Sequence, residues 1–323
     1  MAILKVRDLR IYYATPVGHV KAVDGVTFDI KEGEVFGIAG ESGCGKSTLV
    51  HSLILRKPPM VHMGGKALFK GKDLMKLSEE EARKIRYTEL SIIPQYAMNA
   101  LNPTKKIRDI VWDLAKDHGY TERDEIEKLL RERLAMVKLS PKVADMYPVE
   151  LSGGMRQRAT MVVSTLLNPD LLIADEVTSA LDVTTQRVVI ELLHHFMEEG
   201  IVKSIIFVTH DLALLDKIAD RFMVMYAGKV VEIGPTEDVI KSPAHPYTRM
   251  LIDSLPRLGV HYKRQKLRSI PGYPISLLNP PRGCRFYTRC PYVMDRCREE
   301  EPPLVKVGED HYAACHLLGG ENQ

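Results

Sequence analysis

The chain has 323 residues, enough for one large α/β domain and a smaller one, and its 45% hydrophobic content is ample for a packed core. Its 45 basic residues nearly cancel its 42 acidic ones, and the resulting net charge of +3 excludes a bulk attraction for nucleic acid or anionic lipid. No apolar run reaches the roughly eighteen residues that a membrane span needs, and Lys5, Arg7 and Asp8 interrupt any secretory signal, so a cytosolic chain is expected.

Residues 3–7 and 20–30 alternate in polarity around a turn near Pro16 and Gly18, which predicts a small antiparallel layer at the start. Tyr13 lies in it, where an aromatic ring suits either stacking on a nucleotide base or ordinary packing. The apolar run from Glu34 to Ala39 reads as a buried strand, and Thr48 to Leu55 is apolar at helical spacing. Between them stand Gly40, Glu41, Ser42, Gly43, Cys44, Gly45, Lys46, Ser47 and Thr48. A glycine-rich loop that opens a helix turns several backbone N–H groups and the helix's positive end toward one anion. Lys46 adds a full charge for the outer phosphates, and the Ser47 hydroxyl suits the magnesium that travels with a nucleotide.

Glu79 to Tyr87 reads as a helix, Leu90 to Pro94 as a short strand ending in Gln95, and about Ala97 to Leu139 as an insertion of polar helices. Leu151 leads into Ser152, Gly153, Gly154, Met155, Arg156 and Gln157, with Ser152 placed to cap a helix that runs through Leu167. That start suits an anion, and it is equally ordinary capping chemistry. Leu171 to Ala174 is an apolar strand ending in Asp175 and Glu176. Ligands of parallel sheets sit at the carboxyl ends of strands, so Asp175 is placed to hold magnesium through its shell and Glu176 to deprotonate an attacking water. Asp182 to Met197 is an amphipathic helix stopped by Gly200, and Ser204 to Thr209 is a strand ending in His210, whose imidazole suits a terminal phosphate or a structural role. Phe222 to Tyr226 and Lys229 to Ile233 form a hairpin, and the first domain ends near Val239.

In this order the loop, Gln95, the Ser152-Gly153-Gly154 segment, the Asp175-Glu176 strand, Ser179 to Asp182 and His210 closely resemble the ATP-binding-cassette ATPases. The resemblance implies a P-loop NTPase fold over residues 1–240: a RecA-like core, an antiparallel β layer and a helical subdomain at about 96–168. It implies ATP and Mg2+ as ligands, with Tyr13 against adenine, Glu176 as base, Gln95 linking metal to transporter and His210 sensing the terminal phosphate. Ser152, Gly153, Gly154, Gln157 and Asp182 then belong to the nucleotide site, with Ser152 and Gly154 acting across a dimer of cassettes. Family members commonly carry proline after the glutamate; Val177 stands there, which implies a looser turn toward Asp182.

Residues 241–323 form a cysteine-rich C-terminal extension, and Ser242 to Thr248 followed by Cys284, Cys290, Cys297 and Cys315 resembles that of oligopeptide and dipeptide importer ATPases. Five, six and seventeen residues separate the cysteines, unlike the close pairs of a zinc ribbon, and four thiolates suit either zinc or a [4Fe-4S] cluster. The branch carries the cluster, so the resemblance implies iron–sulfur, with Zn2+ the alternative, His311 and His316 as substitute ligands for it, and free thiols third. The basic run from Lys263 to Arg268 suits lipid headgroups or plain solvent. The expected protein is therefore a peripheral ATPase at the cytoplasmic face of the cell membrane. Its expected partners are a related, non-identical ATPase subunit, two transmembrane permeases and, indirectly, an extracytoplasmic solute-binding protein, with no nucleic acid. An importer of oligosaccharides or other solutes, and a soluble cassette ATPase of DNA repair or translation, are the alternatives.

Overall fold

The computed structural model describes residues 1–95, 97–179, 181–255 and 270–319. Its first half runs β1 (Ala2–Thr15), β2 (Gly18–Lys31), β3 (Val35–Ala39), α1 (Lys46–Ile54), β4 (Met60–Phe69), β5 (Lys72–Asp73), α2 (Glu79–Ile85), β6 (Leu90–Ile93), α3 (Ile107–Asp117), α4 (Arg123–Met136) and α5 (Gly153–Thr165). The second half adds β7 (Leu171–Asp175), α6 (Val183–Glu198), β8 (Ser204–Val208), α7 (Leu212–Ile218), β9 (Arg221–Tyr226), β10 (Lys229–Pro235), α8 (Thr236–Lys241), α9 (Pro246–Asp253), α10 (Arg296–Glu299), β11 (Val305–Gly308) and β12 (His311–Ala313). The chain divides into two compact units: Met1–Ile30 with Glu34–Met75 and the described chain from Thr209 onward, and Lys31–Gly33 with Lys76–Val208.

The first unit carries an antiparallel layer in the order β2-β1-β4-β5. The expected strands of this layer are longer than their alternating cores, and β4 and β5 were not foreseen. Gly64 and Gly65 lie within β4. Gly65 has φ +80, and a Cβ there would meet the Asp8 carbonyl oxygen at 2.2 Å, so glycine is what lets β4 approach β1 at an irregularity in their register. The unit's second sheet runs β11-β12-β10-β9-β3, with β3 parallel to β9 and β10 antiparallel to it. All of β3 is buried, as its unbroken apolar run requires of a central parallel strand. Phe36 stacks on Phe28 at 5.4 Å, while Glu34 at the strand's start is satisfied by Arg221 at 3.0 Å.

The second unit holds β6, β7 and β8 in the parallel order β8-β7-β6, with β7 and β8 buried throughout. Its helical insertion packs Ile107, Val111 and Ala115 of α3 and Ile126, Leu130 and Leu134 of α4, four residues apart on one face of each helix. The polar residues of the insertion pair at its surface: Arg123 reaches Asp109 at 2.5 Å and Glu127 at 2.8 Å, and Asp145 takes Arg108 at 2.6 Å and Arg131 at 3.0 Å. Partly exposed pairs of this kind fix geometry more than they stabilise. Among the described residues no helix is long and apolar enough to cross a membrane.

Candidate nucleotide site

In the first unit β3 delivers the chain into the glycine-rich loop, and α1 begins at Lys46, with Gly45 as the helix-preceding residue at φ 107. Gly40, Gly43 and Gly45 all have positive φ, at +144, +78 and +107. Two of them are also confined: a Cβ on Gly40 would lie 2.3 Å from the Met225 carbonyl oxygen, and one on Gly45 would lie 2.0 Å from that of Ala22. The loop is thus wedged against β2 and β9 and has no room for side chains there. Lys46 is 4% exposed, and its ammonium donates to the carbonyl oxygens of Gly40 at 2.7 Å and Glu41 at 3.1 Å. Burial pushes the Cys44 thiol up and keeps it neutral, with the Lys46 charge working the other way. Tyr13 places its hydroxyl 3.1 Å from that of Thr48 on α1, which ties the antiparallel layer to the loop's helix. His210, exposed, follows Thr209, whose N–H donates to the Ile38 carbonyl at 3.1 Å.

The same loop is gripped by the C-terminal extension, a contact that sequence reasoning missed. Arg289 forms a two-pronged pair with the Glu41 carboxylate, Nη1 to Oε2 at 2.6 Å and Nη2 to Oε1 at 3.0 Å. The buried Tyr247 hydroxyl accepts the Glu41 N–H at 3.0 Å. Arg285 bonds both the Asp24 carboxylate and the Ala227 carbonyl. Tyr247 sits in the resemblance-bearing segment and the arginines flank Cys290 and Cys284, but nothing in the sequence marks Glu41 or Asp24 as their partners. The extension is seated by Glu232 of β10, which is fully buried and accepts from the N–H groups of Ala244 at 2.7 Å and His245 at 2.9 Å and from His311 at 2.8 Å. His245 Nδ1 in turn accepts the Tyr247 N–H at 3.0 Å, and burial pushes that imidazole down to about 4.

In the second unit Asp175 ends β7 and is fully buried, and Glu176 follows at φ 47 with its N–H on the Val208 carbonyl at 3.0 Å. Gln95 donates through Nε2 to Glu176 Oε2 at 2.8 Å, and the Ser179 hydroxyl donates to the same oxygen at 3.3 Å. Gln95 and Glu176, expected as separate site residues, are therefore in direct contact. The turn after Glu176 is held despite Val177: Gln157 donates to the Val177 carbonyl at 2.6 Å, and the Ser179 N–H reaches Glu176 O at 3.0 Å. Asp182 caps α6 by accepting from the Thr185 hydroxyl and N–H, which hold its carboxyl below the ordinary range. Ser152 caps α5 toward the Met155 N–H at 3.4 Å, and Ser152 and Gly154 are exposed. Gln157 differs from them in being 3% exposed, with its Nε2 on the Val177 carbonyl inside this unit.

The tail's expected metal site is not formed as such. Among the described residues no three Cys, His, Asp or Glu side chains stand together at the spacing that holds a metal ion. Cys284, Cys290, Cys297 and Cys315 are free thiols; His311 is committed to Glu232, and His316 to the Glu300 carbonyl at 2.9 Å. Burial pushes the Cys284 thiol up to about 12, and the charges of Cys297, Cys315 and Cys290 act in the same direction. The basic run from Lys263 to Arg268 lies outside the described residues.

A phosphate loop heading a helix after a buried strand, with an acid-tipped parallel strand elsewhere in the chain, defines a P-loop ATPase. The ABC transporter family model matches residues 23–179, and the model for the oligopeptide/dipeptide transporter C-terminal region matches residues 231–297. The chain is 44% identical to the dipeptide transport ATP-binding protein DppD of Caldanaerobacter subterraneus subsp. tengcongensis, over 98% of this chain and 97% of that protein. It is 42% identical to the oligopeptide transport ATP-binding protein AppF of Bacillus subtilis, again over 98% of this chain and 97% of that one. Among solved structures it is similar to the ATP-binding cassette MJ0796 in a dimeric post-hydrolysis state bound to ADP and Pi, with TM-score 0.64 and 26% identity over 72% of this chain and 98% of that one. The chain belongs to the ATP-binding-cassette family, in the branch of dipeptide and oligopeptide transport ATP-binding proteins.

Proposed function

We propose that this chain is the ATP-binding and hydrolysing subunit that energises an importer of dipeptides and oligopeptides. The observation that carries the reading is the loop itself, with three glycines at positive φ and Lys46 at the head of α1, in a chain whose relatives are peptide-transport ATPases over nearly their full length. The loop amides and Lys46 take the phosphates of ATP, and Tyr13 meets the adenine. Ser47, Asp175 and Gln95 would each offer a hard oxygen donor of the kind that Mg2+ selects, as the family resemblance implies. Magnesium there supplies charge neutralisation on the phosphates. Glu176 accepts the proton of the attacking water, with Gln95 and Ser179 orienting its carboxylate, and His210 contacts the terminal phosphate.

The exposed Ser152 and Gly154 serve the nucleotide of a second, related cassette, as the dimer of the solved relative supports. The helical insertion engages two membrane-spanning permeases at the cytoplasmic face, fed by an extracytoplasmic binding protein. Residues 1–240 form the cassette and 241–323 its extension. The four thiols of that extension hold a [4Fe-4S] cluster that staples it. What supports this is the chemistry of four soft thiolate donors in one short extension, of the kind such a cluster takes. Iron and acid-labile sulfide in anaerobically purified chain test it, and zinc alone or no metal overturns it. The function itself is tested with the assembled transporter in proteoliposomes. ATP hydrolysis is expected to rise when peptide-loaded binding protein is added, and hydrolysis indifferent to peptide and permease overturns the reading.

A further inference from the structure

The phosphate loop contains a carboxylate where an anion is to bind. Lys46 donates to the Glu41 carbonyl at 3.1 Å, so the acidic side chain of that residue hangs from the same stretch of backbone that grips the phosphates. At an effective dielectric of about 20, like charges ~8 Å apart repel enough to weaken binding about thirtyfold. Any device that neutralises Glu41 without moving it therefore changes the affinity of the site.

The C-terminal extension supplies such a device. The Arg289 side chain is 3% exposed against 28% for Glu41, so the pair is anchored from the buried side. The guanidinium is held before it meets the acid: Nε donates to the Pro271 carbonyl at 2.8 Å, and the group lies over the rings of Tyr226 and Phe286 at 5.7 and 6.0 Å. Its planar fork matches both carboxylate oxygens, which a lysine could not do. Tyr247 adds a second hold on the same residue by accepting its N–H, and its ring packs edge-on against Tyr226 at 4.7 Å and tilted against Phe286 at 5.2 Å.

We propose that Arg289 and Tyr247 are positioning residues of the nucleotide site: the extension neutralises and fixes Glu41, and so sets the affinity for ATP while leaving bond cleavage to other groups. The inference rests on the loop being the ATP site. It also gives the tail a role beyond carrying cysteines, because Arg289 directly precedes Cys290 and Arg285, tied to Asp24, directly follows Cys284.

Calorimetric titration of MgATP into the full chain, and steady-state hydrolysis by the assembled transporter, test the proposal. Arg289→Met is expected to weaken ATP binding at least tenfold and to raise KM with kcat held within about twofold. Adding Glu41→Gln to Arg289→Met is expected to regain at least fivefold of the lost affinity, a rescue that a merely structural arginine would not give. Tyr247→Phe, which keeps the oxygen-free ring, is expected to cost about three- to tenfold. Should Arg289→Met not fold, Arg289→Lys replaces it, with an affinity between that of the unaltered chain and a tenfold loss. Unaltered ATP affinity in the Arg289 variant, or a double variant as weak as Arg289→Met alone, overturns the proposal. If the unaltered chain itself fails to bind MgATP, the nucleotide-site reading falls, and the unaltered titration tells that failure apart.

Discussion

In the function proposed above, Glu41 and Glu176 are both carboxylates that serve a nucleotide, and their partners differ in kind. Glu176 is oriented from within its own unit, by Ser179 three residues on and Gln95 across the neighbouring strand β6. Glu41 is oriented by Tyr247 and Arg289, separated from it by 206 and 248 residues of chain. Gln95 and Ser179 offer the Glu176 carboxylate neutral donors, an amide and a hydroxyl, that fix its orientation. An acid that must not repel phosphate needs a charged partner, and the Arg289 guanidinium gives it. The comparison teaches that Gln95 and Ser179 reach Glu176 from within its own unit, whereas Glu41 takes its counter-charge from the far end of the chain.

The sharpest way to break that contrast is Glu176→Gln. The amide keeps the size of the side chain and removes only the basic oxygen, so hydrolysis is expected to slow by about 10²–10⁴ while ATP binding survives. Near-normal turnover in a purified assembly would take the base away from this residue. Lys46→Ala acts on the other half: loss of a charge-assisted donor is expected to weaken ATP binding by about 10–100-fold, read by calorimetry.

A third experiment probes the distant support through pH. The His245 ring accepts the Tyr247 N–H only when neutral, and burial holds it down to about 4 against an ordinary 6.5, with Glu232 pulling the other way. The unfolded chain thus takes up a proton near pH 6.5 and the folded chain only near 4. Stability contributed here is complete above the unfolded value and falls as pH drops from about 6.5 to about 4, by roughly 3 kcal/mol in all. Urea unfolding at pH 7 and pH 4.5 measures it, and a His245→Gln chain with the same pH slope would remove this residue from the account. The smallest effect is expected in the second unit, where Ser152→Ala removes one local cap from α5 and costs about 1 kcal/mol by thermal unfolding. A larger loss would mean that the exposed helix start is tied into more than its own first turn.

Much of the site was legible because its causes are local. The unbroken apolar run of β3, the loop glycines and Lys46 opening α1 are adjacent in the chain, and each dictates its own backbone geometry without help from elsewhere. The same holds for β7 ending in Asp175 and for the caps at Ser152 and Asp182. The strand β4 was not read from the sequence, and its Gly65 lies against the Asp8 carbonyl, a close approach that only the fold reveals. Gln157, grouped with the nucleotide residues by the family resemblance, also donates to the Val177 carbonyl, a contact twenty residues away in sequence that its motif does not announce.

By itself the sequence determined the phosphate loop, the acid-tipped strand and the family, because backbone conformation and apolar periodicity are set by neighbours a few residues apart. Which charge meets Glu41, what seats His245 and Glu232, and how near the four thiols stand were decided only by the tertiary fold. Pairing between positions hundreds of residues apart leaves no periodic trace, and the long-range term that selects it, a buried ion pair or hydrogen bond, exists only once packing has excluded water from both partners.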